Sequence, residues 1–230
     1  MNAPPRLFAL FSTDASARSW PFALFIAALA LRGALGDTTT AFDQRWLYAL
    51  QVAPALVALM IFAPRFDELR AAPASAGAWA ATIGAGGAVF ALWITLDAAW
   101  MRIGQPVASF VPQAADGSLR LDLIALRSFG AVIVVPIMEE LFWRSFLMRW
   151  IDRRAFRELA PQRVSWFALM ASAGVFALAH DRWLAGVLAG LVYGLLYRHT
   201  GKLWYAIAAH ALTNGLLAAW VVAGAHWEYW

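Results

Sequence analysis

Cysteine does not occur in the 230 residues. Its absence excludes disulfides, thiol nucleophiles, Cys-ligated metals and cysteine lipidation, and leaves histidine and carboxylate chemistry open. Charge is scarce as well. Asp, Glu, Lys and Arg make up 14% of the chain, against about 25% in an ordinary soluble domain. The net charge is only +4, and no basic tail or patch offers a surface for nucleic acid. No polar stretch is long enough for a separate soluble domain. What is plentiful is apolar: 62% of the residues are hydrophobic and thirteen are tryptophan, a residue that gathers where hydrocarbon meets headgroups. The chain reads as an integral membrane protein whose surroundings are the lipid bilayer.

A span needs about 20 mostly apolar residues. Candidate spans are 19–36, 46–63, 77–100, 122–149, 163–180, 183–198 and 203–223. The expected fold is therefore all-α, a polytopic transmembrane helical bundle of about seven to eight spans. The first span, preceded by Arg6 and Arg18, lasts too long for a signal-peptide core and has a poor cleavage site, so it reads as uncleaved. Span 122–149 is long and contains Pro136, a candidate kink. Basic residues cluster between spans: Arg149, Arg153, Arg154, Arg157 and Arg163 share one loop, whereas Asp37, Asp43, Asp116 and Glu228 fall on the other side. The positive-inside bias then places the N-terminus in the cytoplasm. Gly186, Gly190 and Gly194 line one face of span 183–198. They let a neighbouring backbone approach, within the chain or, alternatively, in a dimer.

Against this background "PIMEELFWRSF", residues 136–146, stands out. Each intramembrane charge costs about 2.5–3.5 kcal/mol at the bilayer centre, and this stretch holds three. Glu140 and Arg144 are four apart, acid first, the favourable order for an ion pair on one helical face. Glu139 points about 100° away and is left without that partner. Phe176 and His180 repeat the spacing in "FALAH", as do His210 and Asn214 in "HALTN". Each histidine alone is ordinary helix-packing hardware. Two of them, an asparagine and an unpaired glutamate in one 76-residue stretch are explained together by a common polar cavity. Asp97 and Arg127 also fall within spans, and are expected to pair with each other or to join the site. Arg32 lies near a span end, where it can snorkel.

A carboxylate beside a histidine can hold and deprotonate a water. A second histidine and an amide are donors suited to a developing oxyanion. That is equipment for amide hydrolysis without a covalent intermediate. Glu139, His180 and His210 would equally serve as ligands of a catalytic Zn²⁺, although the HExxH zinc-protease signature is missing. No serine sits in a nucleophile motif. Intramembrane Glu and His also occur in ion-coupled transporters, but no inverted repeat supports that reading.

The three motifs Glu139-Glu140-x-x-x-Arg144, Phe176-x-x-x-His180 and His210-x-x-x-Asn214, in this order and each within an apolar span, resemble the signature of the CPBP family. This is the family of the CAAX prenyl protease type II and of the bacteriocin-processing or self-immunity (Abi) membrane proteins. The resemblance spans roughly 125–220. It implies N-terminal transmembrane helices over 1–120 and a catalytic core over 121–223 within one membrane domain. It further implies an endopeptidase acting on a membrane-associated protein or peptide. Glu139 and His180 would activate water, Glu140 and Arg144 would support the site, and His210 and Asn214 would serve the oxyanion or, in part, a metal. Some immunity-type members are proposed to act as non-catalytic membrane partners, which is the alternative function. The form "EELFWRSF" further resembles family members associated with exosortase sorting systems. One expectation sits awkwardly. Hydropathy puts His180 at the outer end of its span, and Glu139 about 10 Å away in depth.

Overall fold

In a computed structural model, residues 13–35, 42–70, 75–104 and 110–230 are described. Asp37 and the loop residues 71–74 lie outside them. The described residues form helices and turns, with no strand beyond a single bridge between Gln113 and Leu119. Among the described residues seven helices of 12 residues or more account for the bundle: α1 (Asp14–Leu35), α2 (Leu47–Phe62), α3 (Ala76–Thr95), α4 (Leu121–Asp152), α5 (Trp166–Ala177), α6 (Trp183–Thr200) and α7 (Leu203–Gly224). Four stretches, Gln44–Arg65, Ala76–Thr95, Leu121–Asp152 and Leu203–Gly224, are long and apolar enough to cross a bilayer. The bundle turns apolar side chains outward, among them Met60, Ile61, Ile83 and Phe167, as a lipid-facing surface requires.

Hydroxyl caps start several helices. Thr13, Ser75 and Ser165 accept the amides of Ser16, Ala78 and Ala168, meeting donors that the first turn leaves open. Gly201 ends α6 in the left-handed region (φ +68°), its N–H on the Tyr197 carbonyl. The tight "RHTGK" connection thus has a conformational cause.

Two elements depart from hydropathy. Span 77–100 stops at Thr95, and a 3₁₀ turn (Ala99–Met101) follows. The expected span 163–180 is a 12-residue helix ending at Ala177, with His180 in the turn beyond it. This removes the depth mismatch. Asp152 at the end of α4 binds the Ser165 amide and hydroxyl at 2.6 Å, so both helices start from one level. From there Glu139 lies about 20 Å back along α4, and the end of α5 about 18 Å on, at about 1.5 Å per residue. Both therefore reach a similar level of the bundle.

Pro136 does not produce a simple kink. Gly130–Val134, just before it, winds as π-helix, and Leu141–Leu147 does so again around Arg144. In the first segment the Val135 amide reaches back five residues to the Gly130 carbonyl. The next bond in that register would join residue 136 to Ala131, but proline has no N–H. The Ala131 carbonyl is therefore released.

The glycine repeat of α6 is used inside the chain. Gly190 lies against α5 so closely that a Cβ would stand 2.9 Å from Ala173 Cα, which accounts for the motif by intramolecular packing.

At the end of the bundle carrying the arginine-rich loop, Arg18 is buried, 1% exposed. It grips Glu68 (Nε–Oε1 2.7 Å, Nη2–Oε2 2.6 Å) and the carbonyls of Asp14 and Arg65. Ser145 of α4 donates to the same carboxylate. Arg149 donates to the Leu159 and Arg157 carbonyls, and Arg157 pairs with Asp14 and Asp67. The basic loop is thus pinned to α1 and to the turn after α2.

Two outcomes follow. Gly190→Val should lower stability in detergent by about 1–3 kcal/mol through overpacking, read as a lower Tm. Burial pushes the Glu68 carboxyl up, but the Arg18 and Ser145 bonds outweigh it and hold it below its ordinary 4.5. Its stabilisation is therefore complete above about pH 4.5 and is lost as pH falls through the lowered value. The Tm difference between wild type and Glu68→Gln should shrink as the pH is lowered below 4.5.

Candidate active site

Glu140 lies on α4 with no exposed surface. Its Oε2 is 3.1 Å from Arg144 Nε, as the i,i+4 spacing requires, and its Oε1 is 2.9 Å from His210 Nδ1 of α7. The second bond has no sequence signature, since the partners are 70 residues apart. Arg144 rests on the Phe176 ring at 4.5 Å and reaches the Gly190 carbonyl at 3.4 Å. One buried carboxylate thus joins α4, α5, α6 and α7.

His210 is fixed on its other side by Tyr193 of α6, whose ring stacks on the imidazole at 5.0 Å with a 16° interplanar angle. The Tyr193 hydroxyl is 2.7 Å from Thr213 Oγ1, which in turn donates to the Gly86 and Ala209 carbonyls. Tyr193 and Thr213 escaped the sequence reading. An aromatic residue in an apolar helix has no distinguishing spacing, although Thr213 lies within "HALTN" on the His210 face.

The neighbouring acid is different. Glu139 is 7% exposed, and its Oε2 is buried with no hydrogen-bond partner. It borders a cavity of about 350 Å³ shared with His180, His210 and Asn214, large enough for waters and a segment of peptide. His180 Nδ1 is 2.9 Å from the Phe176 carbonyl. Because a carbonyl only accepts, Nδ1 carries the proton, and Nε2 of the neutral ring is left as a base. The Phe176 and Trp93 rings hold this imidazole in place.

Asn214 Nδ2 donates at 2.7 Å to the Ala131 carbonyl, the acceptor released by Pro136. One of its two N–H groups is thereby spent on positioning, and one remains for a ligand. His210, with Nδ1–H on Glu140, accepts at Nε2 when neutral and donates there only when protonated.

Asp97 and Arg127 do not pair with each other. Asp97 is 3.2 Å from both Arg102 and Arg182, because the chain leaves α3 before reaching Asp97 and turns it towards the loop and the start of α6. Arg127 lies over the Tyr48 ring at 4.5 Å and lines the cavity.

Glu139, His180 and His210 are the candidate metal ligands. Among the described residues no three His, Asp or Glu side chains converge in an arrangement that would hold an ion. Glu140 takes His210 Nδ1, so Nε2 is the nitrogen His210 would offer as a ligand.

The fold and the cavity define a helical integral membrane protein with a buried Glu/His site between its helices. Residues 121–216, which hold α4 to α6 and most of α7, match the family model described as Type II CAAX prenyl endopeptidase Rce1-like. Through this segment the chain is similar to the CPBP/CAAX protease family. No curated protein and no solved structure matches the chain.

The two adjacent acids should separate cleanly in stability. Glu140→Ala strands Arg144 in the core and should cost about 3–5 kcal/mol. Glu139→Gln removes no native partner and should cost no more than about 1 kcal/mol. Thermal unfolding in detergent measures both.

Proposed function

We propose that the protein is an intramembrane endopeptidase that hydrolyses a peptide bond of a membrane-associated protein or peptide, with water activated by Glu139 and His180. The observation that carries this reading is the unpartnered, buried Glu139 carboxylate in a cavity that also holds the free Nε2 of His180. A buried acceptor without a partner is costly, and a water held between carboxylate and imidazole would satisfy it. The family match supports a protease in general terms.

In the proposed reaction the water gives a proton to the Glu139/His180 pair as its oxygen attacks the carbonyl carbon. The carbonyl π electrons move to oxygen. The remaining Asn214 N–H and protonated His210 Nε2 donate to that oxyanion, a type of contact worth about 2.7–4 kcal/mol per donor. Collapse re-forms the carbonyl and breaks the C–N bond, and the proton held by the pair passes to the leaving amine. Glu140 and Arg144 keep His210 in place and touch no substrate. The catalytic core would lie within 121–223, served by the helices of 1–120.

The arginine-rich loop supports an orientation with that end in the cytoplasm of a bacterial cell. "EELFWRSF" supports a place among exosortase-associated members. Glu139→Gln should abolish cleavage of a verified substrate while the protein stays folded. Normal processing by that variant would overturn the mechanism, and full biological activity of both Glu139→Ala and His180→Ala would favour the non-catalytic partner.

A further inference from the structure

Arg127 is a cation in the same cavity that the proposed mechanism does not use. Other arginines near this end of the bundle have an acid: Arg182 has Asp97 and Asp181, Arg102 has Asp97, Arg45 has Asp43, and Arg120 has Asp122. No acid among the described residues lies within ion-pair distance of Arg127, and its Nε is buried without a partner. Its guanidinium is held in place against two rings, Tyr48 at 4.5 Å and Phe110 at 5.7 Å. These rings and the Tyr48 hydroxyl beside it position the guanidinium but bring it no negative charge, so its charge is open to a carboxylate acceptor.

The π segment decides which way Arg127 faces. Arg127, Ala131, Val135 and Glu139 all line the cavity. On a regular α-helix the first and last would diverge by about 120°, at about 100° per residue. The one-residue excess of a π turn takes back about one such step, so they fall within about 20° of each other. Both therefore face the cavity from α4: the Glu139 carboxylate, without a hydrogen-bond partner at Oε2, and the Arg127 cation, without an acid at ion-pair distance among the described residues. Twelve residues of helix put their Cα atoms about 18 Å apart. An extended peptide covers that distance in about five residues, at about 3.3 Å each.

The geometry points to Arg127 as a specificity-determining subsite for a carboxylate of the substrate peptide, about five residues from the bond presented to Glu139. This inference rests on the endopeptidase reading. An Asp or Glu side chain and a free C-terminus supply the same chemistry, and a fixed guanidinium binds either as a two-point fork.

Binding tests it without relying on cleavage. The full chain, carrying Glu139→Gln so that peptides stay intact, is purified in detergent. It is then titrated with fluorescein-labelled apolar decapeptides. Three are used: one bearing a single Glu and a C-terminal amide, one bearing Gln and a free C-terminus, and a neutral one with Gln and an amide. At least one acidic peptide should bind about tenfold tighter than the neutral one, and which of them does so names the source of the carboxylate. Arg127→Gln should erase the difference and Arg127→Lys should keep part of it, so a charge-retaining variant remains should the first fail to fold. Equal binding of all three peptides by the Arg127 protein would overturn the proposal, as would discrimination that survives Arg127→Gln. Loss of discrimination on adding phosphatidylglycerol vesicles, with neutral-peptide binding unchanged, would assign Arg127 to lipid phosphate and also overturn it. Failure of the endopeptidase reading would show separately, as absence of cleavage by the unmodified protein.

Discussion

The contact on which the rest of the site depends is the Glu140 carboxylate, buried without exposed surface and held by Arg144 on one side and His210 on the other. A charge in a low-dielectric interior is tolerated only when paired and hydrogen-bonded. Because its partners come from the same helix and from α7, satisfying it sets the distance between the two. Arg144 extends the brace to Phe176 and Gly190, and Tyr193 clamps His210 from behind. The acid one residue earlier, Glu139, turns to the cavity with no partner at all. Two adjacent glutamates thus have opposite circumstances, one a brace and the other a reactive group.

Backbone irregularity supplies the second half of the arrangement. A proline after a π turn leaves the Ala131 carbonyl without its amide, and Asn214 takes it. The missing proline N–H thereby becomes an attachment point for the last motif. The same π turn swings Arg127 onto the Glu139 side of α4, where both line the cavity. The shortness of α5 completes the geometry. Its 12 residues end the helix early, so the turn bearing His180 is delivered to the cavity that Glu139 lines.

Much of this was legible in residue order. Apolar runs located the seven helices of the bundle, since only intrahelical bonding satisfies a backbone in lipid. The i,i+4 spacing paired Glu140 with Arg144, and the glycine repeat marked the face where α6 approaches a neighbour. The errors have physical causes as well. Hydropathy carried the fifth span through Leu178 and Ala179 because apolar turn residues look like helix. It placed Asp97 inside a span whose helix had already ended. Of the two expectations for Arg127, pairing with Asp97 fails because Asp97 turns to Arg102 and Arg182, whereas Arg127 does line the cavity of the site.

The sequence alone determined the medium, the all-helical class and which polar residues are costly enough to need a purpose, because these follow from local composition and from periods of three to four residues. Only the tertiary structure decided which of those residues meet. The His210–Glu140 bond, the Asn214–Ala131 bond and the common cavity of Glu139 and His180 join positions up to 83 apart. Such contacts depend on helix length, rotation and the slip of a single backbone bond, which no local pattern encodes.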